Sequence, residues 1–345
     1  MSRAQLTSTV EQSSGGVVAP FLAGKNKIIN GDFGIWQRGT SFSNPTAGYT
    51  ADRFSFNYDN KPTTHTISQV AFDYSASPAS DKLPIAGQNG TYFYRSAITT
   101  TGTCTVIDHT QKIEDVHTLS GNNITISFWA KADSARTFVA YVAYVFGTGG
   151  SSSTYPFTSS ATSVGTTWTR YSFTFSTSII GSSIIGPGSY IQVSLRQTGA
   201  SGSTIDTYGW QYEAGSVATP FTTASGTLQG ELALCQRYYW AVATGTVQPI
   251  LNMAAQTTTS AEGIIQYPVT MRTTPSLAVS NTAGSFALKV AGGAPQFPTF
   301  TIDIWNNNCA SMVATLATST TVGAGGIAYT TSLSASTFVA FSSEL

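Results

Sequence analysis

The chain has 345 residues, enough for about two domains of ordinary size, each with its own core. Lys plus Arg number 16 and Asp plus Glu number 16, so no net field draws the protein to a phosphate backbone or an anionic membrane, and nucleic-acid binding is not expected. Charged residues make up 9% while Ser and Thr together reach roughly 28%, so hydroxyls and amides keep the surface wet.

Disorder is excluded by 6 Trp, 16 Tyr and 19 Phe, which need partners to pack against. No run approaches the length of a membrane span, and the segment beginning Met1 lacks the apolar stretch of a signal peptide, so neither membrane insertion nor secretion is expected. Cys104, Cys235 and Cys309 are odd in number and far apart, which predicts free packing thiols.

In chain order, residues 1–25 show no sustained period and read as an extended attachment arm. Residues 26–226 carry short β-type runs at the spacing of a sandwich: 51–58, 65–74, 91–99, 124–131, 137–146, 167–175, 190–196 and 204–213. In the run 124–131, alternation puts Ile124, Ile126, Phe128 and Ala130 on one face and Thr125, Ser127, Trp129 and Lys131 on the other. The run 137–146 has no polar face, as in a central strand covered on both sides.

Within residues 227–242, Leu228, Leu232, Cys235 and Tyr239 share one side of a helix expected over 228–240, which links two modules. Residues 243–345 read as a smaller β domain with runs at 262–270, 286–290, 299–305, 311–316, 326–331 and 337–341. Its last 40 residues are mostly small, so packing against identical copies is expected to complete its core.

Several segments together carry a resemblance: Asn30-Gly-Asp-Phe-Gly-Ile-Trp-Gln-Arg-Gly-Thr40, Tyr49-Thr-Ala-Asp-Arg-Phe54, residues 119–132, Trp168-Thr-Arg-Tyr-Ser-Phe-Thr-Phe175, the run from Trp210 to Phe221, and Glu231 to Tyr239. In this order the chain resembles a family of bacteriophage and prophage tail-fibre and minor virion proteins whose main module is similar to a carbohydrate-binding jelly roll. Beyond residue 240 the likeness rests on residues 267–275. The resemblance implies a two-layer jelly roll and a homotrimeric assembly; with the residue reading, the expected fold is an all-β chain with an N-terminal arm, a jelly-roll β-sandwich, a short linking helix and a small C-terminal β domain that trimerises. It further implies assembly in the bacterial cytoplasm and a place on the virion surface, with the arm docked on other virion proteins.

A sugar site on a β-sandwich needs flat aromatic faces against pyranose C–H groups, rimmed by amides or guanidinium groups. Three strands offer such residues on their polar sides: Trp129 with Lys131, Trp168 with Arg170, and Tyr190 with Gln192 and Arg196. If these strands are neighbours they form one platform for a host-surface glycan; otherwise the aromatics pack under loops or another subunit.

Acidic residues are scattered, with no pair at strand-related spacing, so no catalytic residues are assigned and a polysaccharide depolymerase is a lesser alternative. Cys104, Asp108, His109 and His117 match no zinc pattern and place no nucleophile beside a base, predicting a buried thiol, surface histidines, no metal and no cofactor. Attachment to host glycans without catalysis is the expected function. The main alternative is a capsid-decoration or head-fibre protein of the same fold.

Overall fold

The computed structural model describes residues 23–75, 90–100, 102–176, 180–198, 202–332 and 336–345. Most of the expected arm, residues 1–22, lies outside the described residues. The first module comprises β1 (Ser41–Ser43), β2 (Gly48–Tyr49), β3 (Phe54–Tyr58), β4 (Thr64–Ala71), β5 (Tyr92–Thr100), β6 (Val106–Glu114) and β7 (Ile124–Ala132). It continues with β8 (Arg136–Val145), β9 (Thr154–Thr158), β10 (Thr162–Val164), β11 (Thr169–Phe175), β12 (Tyr190–Thr198) and β13 (Ser203–Ala214).

These strands form two antiparallel sheets of a jelly-roll β-sandwich. One runs β1-β4-β5-β13-β7-β11; the other runs β10-β8-β12-β6-β3-β2, with β9 also on β8. Between them Ile126, Phe128, Phe138, Val142, Ile191, Val193, Leu195, Trp210 and Tyr212 are buried in one cluster. The alternation expected in β7 holds, with Ile124, Ile126, Phe128 and Ala130 all in that core. A register shift between Tyr208 and Gln211 turns Tyr208 outward while Trp210 points inward. Gly209 makes the bend with φ 66°, and a Cβ there would sit 3.1 Å from the Trp129 ring.

Strand β6 escapes a hydrophobicity reading because its inward positions include His109 and Gln111. Gln111 is satisfied there: its Nε2 donates to the Ile29 carbonyl and its Oε1 accepts the Ile29 N–H, both at 2.7 Å. His109 is buried, contrary to the surface position expected, and lies 3.3 Å from the Tyr94 hydroxyl. His65 is buried too, 2.9 Å from the Ser96 hydroxyl. Cys104 is buried as expected.

Burial pushes His65 down to about 4 and His109 down to about 3, the latter helped by the neighbouring His65. Both therefore stay neutral in the fold while the unfolded chain takes up protons below the ordinary value of 6.5, so stability falls as pH drops from 6.5 toward 4. Asp52, pushed up to about 6 by burial, acts in the opposite sense between 3.8 and 6. We therefore expect thermal midpoints measured between pH 7 and 4.5 to fall less steeply for His65→Gln than for the parent chain.

The linking helix is α1 (Leu228–Gln236), shorter than the expected 228–240. Thr227 caps it by accepting the Gly230 N–H at 3.1 Å, and the chain then leaves for a β-strand at Tyr239. Half of the expected stripe is buried: Cys235 and Tyr239 are, whereas Leu228 and Leu232 are exposed and the polar Glu231 is buried in their place. The reason is polar, because Glu231 accepts the backbone N–H groups of Asn30 at 2.7 Å and Ser225 at 2.5 Å. Among the described residues no helix is long and apolar enough to cross a membrane.

The second module comprises β14 (Tyr239–Thr244), β15 (Pro249–Ala255), β16 (Ser260–Gln266), β17 (Ser276–Val279), β18 (Phe286–Lys289), β19 (Gln296–Phe297), β20 (Phe300–Trp305), β21 (Cys309–Thr315), β22 (Gly325–Thr330) and β23 (Phe338–Ser342). They make sheets of order β14-β23-β17 and β19-β18-β22-β15-β16-β21-β20. The core is not starved of bulk as expected. Phe286, Phe297 and Phe300 pack within 5.6 Å of one another, and Phe341 lies between Trp240 and Tyr267. Aromatics from the strands before the small-residue tail, together with Phe341 within it, fill it from within one chain.

The two modules are joined by charge as well as by α1. Glu344 binds the guanidinium of Arg53 and that of Arg38, the latter at 2.9 Å. Arg53 is buried, donates to the Lys112 carbonyl and stacks 3.4 Å from the Tyr238 ring. Asp52, its sequence neighbour, instead accepts the Gln37 N–H at 2.9 Å.

Candidate functional site

The seven residues expected to form one platform are divided between the two sheets. Trp129 on β7 and Trp168 just before β11 belong to one sheet, whereas Tyr190, Gln192 and Arg196 belong to β12 in the other. The platform as drawn does not exist.

On the first sheet the tryptophans are covered. Trp129 is 4% exposed and Trp168 5%, in a cluster with Phe72, Phe93, Tyr208 and Phe221. Trp168 lies 5.3 Å from Phe93 and 5.5 Å from Phe72. The chain after β13 returns across this face: Glu213 accepts the Thr219 N–H at 2.9 Å, and Phe221 lies 5.6 Å from Tyr208. Arg170 straps that segment down, donating to Ser127 Oγ at 3.0 Å and to the Thr219 carbonyl. Its guanidinium is spent on structure.

The second sheet is different. Because Ile191, Val193 and Leu195 face the core, alternation turns Tyr190, Gln192, Ser194 and Arg196 outward. Register places Arg196 beside Asp108 of β6 and Val139 of β8, and Ser194 beside Thr110 and Tyr141. Part of this face is covered by the C-terminal residue and by the end of α1: Tyr49 and Lys112 donate to the Leu345 carbonyl at 3.0 and 2.6 Å, and Arg237 pairs with Glu114 at 3.0 Å. The part around Arg196 is open.

There Val139, Tyr141, Tyr155, Thr158 and Arg196 line a cleft of about 300 Å³. Tyr155, on the edge strand β9, is 65% exposed and presents its ring 6.0 Å from that of Tyr141. Arg196 lies 5.0 Å over the Tyr141 ring and binds Asp108 through two bonds, Nε to Oδ1 at 2.8 Å and Nη2 to Oδ2 at 2.7 Å. Asp108 holds the Arg196 guanidinium above its ordinary range. Tyr141 donates to Asp108 Oδ2 and accepts from Gln192 Nε2, each at 3.1 Å; Gln192 also donates to Ser194 Oγ, which pairs with Thr110 at 2.8 Å. Burial pushes the Tyr141 and Tyr190 phenols up, so both remain neutral at physiological pH. Lys112 lies 4.9 Å over the Tyr190 ring.

An exposed flat ring beside a rigid fan of donors and acceptors is a surface that grips a pyranose. A larger depression of about 540 Å³ lies between the modules at Trp36, Gln37, Arg38, Tyr239 and Phe338, but Gln37 and Arg38 are committed to Asp52, the Tyr239 carbonyl and Glu344. Among the described residues no group of three His, Cys, Asp or Glu is placed to hold a metal ion.

Of the expected residues, then, Tyr190, Gln192 and Arg196 share this open sheet face with Tyr141, Tyr155 and Asp108, which the sequence reading did not choose. Asp108 was hidden in the Cys104-to-His117 cluster, although its odd offset from Ile107 and His109 already placed it on the opposite face of an extended chain.

No protein-family model and no curated protein matches the chain. Among solved structures it is similar to TmCBM61, solved in complex with β-1,4-galactotriose, at 14% identity over 55% of this chain and 99% of that one, with a TM-score of 0.29. It is also similar to the enzymatically active domain of tailspike protein 4 of bacteriophage CBA120, at 14% identity over 55% of this chain and 21% of that one, TM-score 0.31. A third is the Stig cyclase Fisc from Fischerella sp. TAU, at 10% identity over 57% of this chain and all of that one, TM-score 0.38. Likenesses this distant bring neither ligand nor activity to this chain.

Proposed function

We propose that the protein is a non-enzymatic virion surface component, a tail fibre or spike, that attaches to host-surface glycans through the open part of the outer face of the β12 sheet. The observation that carries this reading is the exposed Tyr155 ring standing beside the fixed Arg196–Asp108 plane. The virion setting is supported by the ordered set of segments between residues 28 and 239 quoted above. In this reading the N-terminal arm docks on other virion proteins and the chain assembles as a homotrimer in the host cytoplasm. Single-site binding is weak, and copies on one particle strengthen it by avidity.

Binding without catalysis fits the carboxylates of this face. Glycoside hydrolysis uses two carboxyls about 5–9.5 Å apart. Asp108 is taken by Arg196, and Glu114, at the far end of the same strand and about 20 Å away at strand rise, is taken by Arg237. A capsid-decoration or head-fibre protein would use the same face, and labelled particles seen by electron microscopy separate the two attachments.

The site is tested by glycan-array and calorimetric binding of the full chain. Tyr155→Ala is expected to weaken binding at least about tenfold, near 1.4 kcal/mol, with the melting temperature unchanged because the ring is exposed. Unchanged binding in that variant overturns the site.

A further inference from the structure

A guanidinium in a sugar site ordinarily favours acidic sugars, because adjacent N–H groups match the two oxygens of a carboxylate. In this cleft one of the two forked edges of the guanidinium is already occupied, since Asp108 takes Nε and Nη2 of Arg196 at 2.8 and 2.7 Å. The pair also cancels in net charge, and Asp108 repels a second carboxylate brought to the same guanidinium. Among the described residues, the cations at the other end of this face are engaged as well. Lys112 is bound to the Leu345 carbonyl and covers Tyr190, and Arg237 is paired with Glu114. What the cleft offers is a neutral plane of donors and acceptors next to an exposed ring, a match for adjacent pyranose hydroxyls.

Resting on the site proposed above, we infer that the cleft selects neutral pyranosides over uronate- or sialate-bearing ones, and that Asp108 sets this preference. The contact is short-ranged, so binding should also vary little with ionic strength.

The test uses the full chain and matched oligosaccharides of one backbone, neutral or capped with a uronic or sialic acid, at 20 and 200 mM salt. The parent chain is expected to bind the neutral member at least tenfold more tightly, with less than a twofold change between the two salt concentrations. Asp108→Asn, which keeps the side-chain shape and frees the guanidinium charge, should shift the neutral-to-acidic ratio at least tenfold toward the acidic member and make its binding salt-sensitive. If Tyr155→Ala removes binding but the parent chain prefers acidic sugars, or if Asp108→Asn leaves the ratio unchanged in a folded protein, the inference fails while the site stands. Binding that survives Tyr155→Ala, or no binding to either member, overturns the site and the inference with it.

Discussion

Replacing Glu344 by alanine is expected to lower the stability of the protein by about 3–5 kcal/mol, the cost of leaving a buried charge without its partner. Among the described residues Glu344 is the carboxylate paired with Arg53. Its guanidinium is buried against the Tyr238 ring, its remaining bond goes to a carbonyl, and Asp52 is engaged by Gln37 and Arg38. Glu344 also holds Arg38, which stacks 3.5 Å from Tyr239, so one substitution loosens both guanidinium–tyrosine stacks between the modules. Guanidinium denaturation followed by tryptophan fluorescence and far-UV circular dichroism should show the loss, together with a separation of the two modules' transitions. A loss below about 1 kcal/mol would mean that Arg53 finds water when its partner leaves.

Trp168→Ala is expected to cost a further class of stability, about 3–5 kcal/mol for truncating a large buried ring, without altering glycan affinity. The ring packs between Phe72 and Phe93, and Lys131 sits 5.5 Å over it. Measured on the fraction that remains folded at low temperature, binding should equal that of the parent chain. A variant that keeps its melting temperature and loses binding would move the site to the opposite sheet.

That contrast shows how far the sequence could be read. Strand alternation predicts which way Trp129 points, and it does leave the core, but alternation says nothing of what lies above a sheet. The covering pieces come from far along the chain: Phe221 follows β13, and Arg170 ties the same segment to β7. Of the β12 residues, Arg196 was legible because its outward direction and its exposure coincide, whereas outward-facing Ser194 is buried and Tyr190 lies under Lys112. Tyr141 was lost in a run with no polar side, since its hydroxyl finds Asp108 and Gln192 only after β6, β8 and β12 are paired.

In the second module the small-residue tail suggested a core completed by neighbouring copies. The local composition was read correctly, but Phe286, Phe297 and Phe300 come from strands outside it and converge on it. The β character of both modules was legible from turn spacing, whereas the helix boundary was not. Glu231, a polar residue bonded to the Asn30 and Ser225 backbone, decides which side of α1 is buried.

The most direct measurement is a crystal structure of the full chain soaked with a neutral oligosaccharide that it binds in solution. The account predicts an intact sugar chain lying on Tyr155 with hydroxyls on Arg196 and Asp108. Sugar bound over the Trp129 and Trp168 sheet, or a shortened product in the cleft, would contradict it.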